Sequence, residues 1–360
     1  MPQSRPGQPW ILYGANGFTG AMIARHAAQS GSKPILAGRD ASAVASIAEE
    51  CGLQWRAFDL HDSTAIRAGL ADVSAVINAA GPFAFTYQPL LQACLNHGVH
   101  YLDISGEVDT FERCAKTHDT AVRQGVMVMP GIGFDMVPGD CLALHLKNKL
   151  PQADTLDIAL RYGGSLSRGT SKSALLTFGQ GVQVRRRGEL TTLTIPLRRH
   201  FDFGDGPEPT VTITFADISV SWRTTGIPNI TVYALETNEL RRLNSLPRPV
   251  QRVMALKPVK ALMAKRFDRL PDGPSEAEIA EHDTRLVAIA TDPAGHTSTA
   301  RLTMPQIYRV TASLVTAIAA RVVGGDVTPG YRTPAAQFGA DFITSIDGCI
   351  LEDGHEALSG

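Results

Sequence analysis

Over the first 150 positions, short apolar runs alternate with longer stretches whose apolar residues recur at helical spacing. The runs Trp10–Tyr13, Pro34–Ala37, Gln54–Asp59, Ala75–Ala79, His100–Ile104 and Val126–Met129 predict strands. The stretches between them, Thr19–Gln29, Ala41–Glu50, Asp62–Leu70, Pro89–Asn96 and Phe111–Arg123, predict helices. Strand–helix alternation at this spacing predicts an α/β domain, a doubly wound parallel sheet covered on both faces. The segment Val73–Ala80 is almost continuously apolar, as a strand buried on both sides must be, and so predicts a central strand.

Past Leu150 the pattern changes to apolar/polar alternation. Thr155–Tyr162, Leu190–Leu197, Thr210–Phe215, Ile230–Ala234 and Thr284–Thr291 read as strands, separated by turn signals such as Gly204-Asp205-Gly206-Pro207. This predicts a second, α+β domain on a mainly antiparallel sheet. A helix is expected over Tyr308–Val322. The tail Thr333–Glu352 offers a helix-like piece and a strand-like piece, Phe342–Ser345, packing back on the body. The expected boundaries are 1–135 for the first domain, 136–332 for the second and 333–360 for the tail.

The strongest chemical signal is Gly14-Ala15-Asn16-Gly17-Phe18-Thr19-Gly20, between the first strand and the first helix. Gly14 permits a tight turn, Gly17 lets the backbone approach a pyrophosphate, and Gly20, helped by Ala21 and Ala24, lets the helix close on the strand. The helix N-terminus presents free N–H groups and partial positive charge to phosphates. Strand, glycine loop and helix together predict a dinucleotide site on a Rossmann domain, with Asn16, Phe18 and Thr19 in the same loop. The second strand ends in Gly38-Arg39-Asp40. A guanidinium there pairs with a 2′-phosphate and favours NADP(H) over NAD(H), whereas Asp40 would hold a ribose instead. Asp59, ending the third strand, is either an acceptor for the adenine amine or the cap of the next helix. Asn78-Ala79-Ala80-Gly81, ending the fourth, is small enough to leave room for the nicotinamide half.

Composition narrows the class. An apolar fraction of 44% with 19% charged residues fits a folded globular chain, and a net charge of −1 supplies no global field toward nucleic acid. The five cysteines are odd in number and form no Cys-x-x-Cys, so neither a disulfide framework nor a zinc site is expected, and a reducing, cytoplasmic setting fits. No apolar run is long enough for a membrane span, and the polar start lacks the longer apolar stretch of a secretory signal.

Several of these segments, taken in order, resemble the saccharopine dehydrogenase-like oxidoreductase family, which includes the trans-acting enoyl reductases. They are Tyr13–Gly20, Ala37-Gly38-Arg39, Asn78–Phe83, Tyr101–Glu107, Gly133–Pro138 and Thr225–Ile230, with late echoes at Thr328-Pro329-Gly330 and Thr333-Pro334-Ala335. The resemblance implies a Rossmann domain, a mixed substrate domain and hydride transfer with NADP(H). The chain departs from the pattern after Phe83, where Ala84-Phe85-Thr86-Tyr87-Gln88 replaces an expected tyrosine–glycine pair. Tyr87 is expected to narrow the pocket mouth.

For chemistry, the end of the fifth strand offers Tyr101 and Asp103 on one face, with Glu107 beyond. Tyr101 is a candidate proton donor, and Asp103 or Glu107 a candidate amine ligand. The alternative is that Asp103 caps the turn at Ser105-Gly106 while Tyr101 fills the core. Asp135, in the glycine-rich Gly131–Gly139 loop, either contacts the nicotinamide half or caps the next helix. His97 and His100 straddle Gly98 and complete no ligand set, so no metal is expected. The polar run Ser165–Ser173 reads as a substrate loop or an exposed turn. Arg168 and Arg223 are the visible candidates for binding a substrate carboxylate.

Arg241–Arg269 carries nine Lys/Arg interleaved with apolar residues, and Pro247, Pro249 and Pro258 divide it. Such a segment is either a solvated helix face or a contact for a peripheral membrane surface or an acyl carrier. Three functions follow as expectations. The first is an NADP(H)-dependent reductase of an acyl or lipid-like enoyl or carbonyl substrate. The second is a saccharopine-type amino-acid C–N oxidoreductase. The third is a cofactor-binding scaffold or sensor without turnover. A homodimer is the common outcome for such folds, though no residue pattern specifies it.

Overall fold

The expected central strand is central. In the computed structural model Ala75–Asn78 is the fourth of seven strands and is buried along its whole length. The structure describes residues 7–177, 179, 181–238, 240, 241, 253, 254, 256–267, 269 and 271–354. In chain order the first third runs β1 (Trp10–Tyr13), α1 (Phe18–Gln29), β2 (Ile35–Gly38), α2 (Ala41–Cys51), β3 (Trp55–Ala57), α3 (Ser63–Gly69) and β4 (Ala75–Asn78). It continues through α4 (Phe83–His97), β5 (His100–Asp103), α5 (Val108–Ala115), α6 (His118–Gln124), β6 (Met127–Met129) and α7 (Val137–Lys149). The middle holds β7 (Thr155–Tyr162), α8 (Arg168–Thr177), β8 (Val182–Arg186), β9 (Glu189–Leu193), β10 (Arg198–Asp202), β11 (Pro207–Ile213), α9 (Asp217–Thr225) and β12 (Asn229–Leu235). Then come α10 (Lys257–Phe267), α11 (Glu276–Glu281), β13 (Asp283–Thr291), β14 (Thr297–Pro305) and α12 (Ile307–Val323). Last are β15 (Gly330–Tyr331), α13 (Pro334–Phe338), a 3-10 turn over Ala340–Ser345 and β16 (Ile350–Asp353).

The chain divides into two units, neither of them one continuous stretch. The first is Met1–Cys141 with Ile307–Asp347, and the second is Leu142–Gln306 with Gly348–Gly360. In the first unit all seven strands are parallel, in the order β15-β6-β5-β4-β1-β2-β3. The chain starts in β1, winds outward through β2 and β3, then returns to the other side through β4. The reversal between β1 and β4 leaves a crevice at their carboxyl ends, where ligands of such sheets bind.

The expected boundaries differ from these units: residues 136–141 also fall in the first unit, and the tail 333–360 divides after Asp347. Residues 307–332, assigned by sequence to the second domain, belong to the first unit. The helix α12 packs on α1, with the rings of Phe18 and Tyr308 edge to face at 5.1 Å, and β15 extends the parallel sheet from β6. The apolar stripe of α12 has buried residues from Ile307 to Val322, which a surface helix of a second domain would not require.

The second unit is built on a nine-stranded sheet, β10-β11-β12-β7-β13-β14-β16 with β8 and β9 appended through β12. Its described ladders are antiparallel except for β12 with β7. Four of its strands are absent from the sequence expectation, β8, β10, β14 and β16. In β14 only Ala300, Leu302 and Met304 are apolar and buried, set among Thr and Arg, so the alternation is weak in hydrophobicity. Leu190–Leu197 is not one strand, because β9 ends at Leu193 and Pro196 offers no N–H to continue a ladder. Ser165–Ser173 is not a loop throughout. Ser167 accepts from the Thr170 N–H (3.2 Å) and starts α8 as its cap. Phe342–Ser345 is a 3-10 turn rather than a strand, with Phe342 and Ile343 adjacent and both buried.

Among the described residues no helix is long and apolar enough to cross a membrane.

Candidate functional site

The glycine loop is shaped by two contacts that admit no side chain. Gly14 has φ +89, and a Cβ there would lie 2.6 Å from the Ala80 nitrogen. At Gly20 a Cβ would lie 2.1 Å from the Gly14 carbonyl oxygen. These two positions therefore hold the β1–α1 turn against the end of β4 and close α1 onto β1. The N–H groups of Gly14 and Ala15 both reach the Ala37 carbonyl of β2, at 2.7 and 3.1 Å, which fixes the loop over the sheet.

Gly17 is different. It is exposed, has an ordinary extended φ of −76, and a Cβ on it would meet only the Gly14 oxygen at 3.4 Å. Gly17 is the N-cap of α1, yet no side chain caps the helix and no acidic residue stands in its first turn. The first-turn N–H groups of Phe18, Thr19 and Gly20 have no carbonyl one turn earlier to bond. A helix start with no side-chain cap and no acidic residue beside it fits a dinucleotide pyrophosphate.

At the end of β2 the alternatives separate. The Asp40 carboxylate accepts from the Ala43 N–H (3.0 Å) and the Ser42 hydroxyl (2.8 Å), so it caps α2, and these bonds hold its carboxyl below the usual range. Arg39 is exposed, and its charge is felt at both Asp59 and Tyr13. Gly38 makes room for Asn16, whose Oδ1 would stand 2.9 Å from a Cβ at that position. Asp59 is exposed and does not cap α3, since Asp62 does so through Thr64 and Ala65. Asp59 bonds the His61 backbone N–H (2.8 Å) and lies 2.6 Å from its Nδ1, which lowers its pKa.

The end of β4 is organised by Asn78, which is wholly buried. Its Oδ1 accepts from the Ala80 N–H (3.0 Å) and its Nδ2 donates to the Thr86 hydroxyl (3.1 Å). The Thr86 hydroxyl in turn donates to the Ala80 carbonyl (2.6 Å). Ala79, Ala80 and Gly81 are thereby held in place while remaining partly or fully exposed. The helix α4 begins at Phe83 rather than at the expected Pro89. Its cap is remote: the Glu107 carboxylate accepts from the N–H groups of Phe83 (3.3 Å) and Ala84 (2.9 Å). Tyr87 lies in the apolar core of the first unit beside Leu90 and Leu91, and it also lines a surface pocket with Gln88, Gln92, Arg113 and Lys116.

Asp135 completes this edge. It stands just before α7 and packs on Gly106, where a Cβ would come within 3.1 Å of its carboxyl carbon. Neither carboxylate oxygen has a hydrogen-bond partner among the described residues, and the residue is only partly buried, so the expected capping role does not hold. Burial, and the neighbouring Glu107 carboxylate, push its pKa up to about 7. A carboxyl that is partly protonated near neutral pH can give up and regain a proton there.

Tyr101 and Asp103 do not reach this surface. Both are wholly buried, and the Tyr101 hydroxyl donates to Asp103 Oδ2 (2.9 Å). Asp103 also accepts from the Ser105 N–H (2.9 Å), the Ser105 hydroxyl (2.7 Å) and the Gly131 N–H (2.9 Å). Its lone pairs are consumed in tying β5 to the two loops beyond it, so the expected catalytic role of this pair is replaced by a positioning one. Tyr101→Phe is expected to cost about 1–3 kcal/mol of stability, because it strips a donor from a buried carboxylate. The same variant should retain turnover. A urea melt and a rate assay on one preparation check both.

Other candidates are engaged elsewhere. His100 is buried, accepts the Met127 N–H at Nδ1 (3.0 Å), and burial lowers its pKa to about 4. No cluster of metal-ligating side chains occurs among the described residues. In the second unit Arg168 is paired with Asp272, and Arg223 lies over the Trp222 ring. Much of Arg241–Arg269, including Pro247 and Pro249, lies outside the described residues. Pro258 sits in the first turn of α10.

Residues 10–129, the stretch that carries the glycine loop and β1 to β6, match the family described as the saccharopine dehydrogenase NADP binding domain. Over this stretch the chain is similar to the saccharopine dehydrogenase-like oxidoreductases. The human saccharopine dehydrogenase-like oxidoreductase is 26% identical over 216 residues, 52% of this chain and 50% of that protein. The chain thus spans about half the length of such relatives. A Mycobacterium tuberculosis protein named for trans-acting enoyl reduction is 28% identical over 179 residues, 46% of this chain and 43% of that one. Among solved structures, apo saccharopine dehydrogenase (L-Glu forming) from Saccharomyces cerevisiae shares the fold. Its TM-score is 0.64 at 12% identity, over 97% of this chain and 100% of that one.

Proposed function

We propose that this protein is a saccharopine dehydrogenase-like, NADP(H)-dependent oxidoreductase that reduces an acyl or lipid-like enoyl or carbonyl substrate. One observation carries the catalytic part of the reading. Asp135 is an unpaired, partly exposed carboxyl, raised to about pKa 7, on the same sheet edge as Asn78–Gly81. A scaffold that only bound cofactor would have no use for a raised, unpaired carboxyl that costs stability.

The first-turn N–H groups of Phe18, Thr19 and Gly20 would hold the pyrophosphate, Arg39 the 2′-phosphate, Asp59 the adenine amine, and Ala79–Gly81 the nicotinamide half. The bound nicotinamide supplies the hydride. Asp135 gives its proton to the substrate carbon or oxygen that gains negative charge, and recovers one from solvent. Asn78, Thr86 and Glu107 fix the β4–α4 turn against which the reacting groups rest. An amino-acid C–N substrate is less well supported, because its carboxylates need free arginines. Arg168 and Arg223 already have partners. The relative named for enoyl reduction favours the acyl reading.

The test is a titration with NADPH and NADH, followed by energy transfer from the tryptophans. Arg39→Ala should weaken NADPH binding about tenfold or more, the loss of one charge-assisted pair, and leave NADH binding unchanged. Unchanged NADPH affinity in that variant would remove the basis for NADP preference.

A further inference from the structure

The chain's charge is not spread evenly. From Leu240 to Phe267 there are eight Lys/Arg and no Asp or Glu. The whole chain has 34 basic and 35 acidic residues, so the remainder keeps 26 basic residues against 35 acidic, a net of −9. A nearly neutral protein therefore carries one concentrated positive segment on an otherwise anionic body.

The described part of that segment is also apolar where it faces water. Its helix α10 packs on α8, and Val259, Met263, Ala264 and Phe267 are partly buried. Away from them, Leu262 is 70% exposed, and Val253 and Leu256, just ahead of the helix, are 55% and 53% exposed. Lys265 and Arg266 are exposed on the same helix. Large aliphatic side chains held in water beside cations are unfavourable for a surface whose partner is water alone.

We propose that α10, with Val253 and Leu256 ahead of it, forms a docking face for an anionic lipid surface. Lipid fits both halves of the pattern. Headgroup charge attracts the lysines and arginines, and the acyl boundary accepts Leu256 and Leu262. Nucleic acid would use the cations but leave the aliphatic residues in water. The −9 remainder is repelled by the same headgroups, which favours approach by this face. The inference is independent of the reaction proposed above.

The experiment is co-sedimentation of the full chain with phosphatidylcholine vesicles and with vesicles in which about a third of the lipid is phosphatidylglycerol. The bound fraction should be about tenfold higher on the anionic vesicles and should fall steeply as salt is raised. Lys265→Glu/Arg266→Glu should abolish the preference, and Leu262→Gln should weaken binding at all salt concentrations. Both changes are at exposed positions, and an unchanged thermal melt and NADPH titration verify the fold. Equal partition to the two vesicle types, no sedimentation with either, or binding retained by both variants would overturn the proposal.

Discussion

Asp135→Asn lowers kcat for NADPH-dependent reduction by about 10²–10⁴-fold, the usual contribution of a positioned general acid. NADPH affinity should stay the same, because the groups proposed to hold the phosphates lie at the start of α1 and just past β2. The wild-type rate should be level below pH 7 and fall about tenfold per pH unit above it, as the carboxyl pushed up to about 7 gives up its proton. The stability change has a definite sign. The folded pKa lies above that of the unfolded chain, so the contribution of this group is fully present below about pH 4 and is lost as pH rises toward 7. Asparagine imitates the protonated form, so the variant should melt higher than the wild type at pH 8, by up to a few kcal/mol. A variant that is slower and no more stable would show that the carboxylate is ionised in the fold, and the proton-donor role would go with it.

Gly20→Ala has the largest expected effect on the fold. The added methyl would sit 2.1 Å from the Gly14 carbonyl oxygen, with Gly14 C at 2.9 Å and Ala15 Cα at 3.0 Å. All three are backbone atoms, and no rotamer relieves the clash. Helix α1 must move off β1, which costs about 3 kcal/mol or more, beyond the upper range for overpacking. For a unit of this size that is about 10 °C in Tm, with NADPH binding lost because the helix start is displaced. Gly17→Ala is the control. Its methyl meets only one atom at 3.4 Å, so Tm should change little while NADPH affinity falls. If both variants behave alike, the two glycines do not have the separate roles assigned to them.

What was legible in the sequence is what neighbours in sequence decide. Gly14, Gly17 and Gly20 act within one turn, and β4 announces itself by its own residues. Arg39 and Asp40 were a pair of alternatives until the bonds from Ala43 and Ser42 showed that Asp40 is occupied. Contacts across long stretches of chain were not legible. Glu107 caps a helix that begins 24 positions earlier, so the start of α4 was placed at Pro89, the nearest local signal. Strand period put Tyr101 and Asp103 on one face correctly but does not say that the face is closed. Gly131, 28 positions away, is what closes it. Asp135 was recognisable as a candidate by its glycine-rich loop. Its lack of a partner, and Glu107 beside it, are properties of the folded molecule only.

The division of the first unit into two stretches bears on how the protein is made. A ribosome releases Met1–Cys141 first, with six of the seven parallel strands and the whole glycine loop, but without α12 or β15. Helix α1, whose N-terminus would receive the phosphates, then lacks the helix that packs on it, and β6 is left as an open edge. Roughly 165 residues of the second unit must emerge before Ile307–Val323 can close that face. The nascent dinucleotide site should therefore stay unfinished until Ile307–Val323 has emerged, and a chain stalled before residue 307 should be unable to retain cofactor.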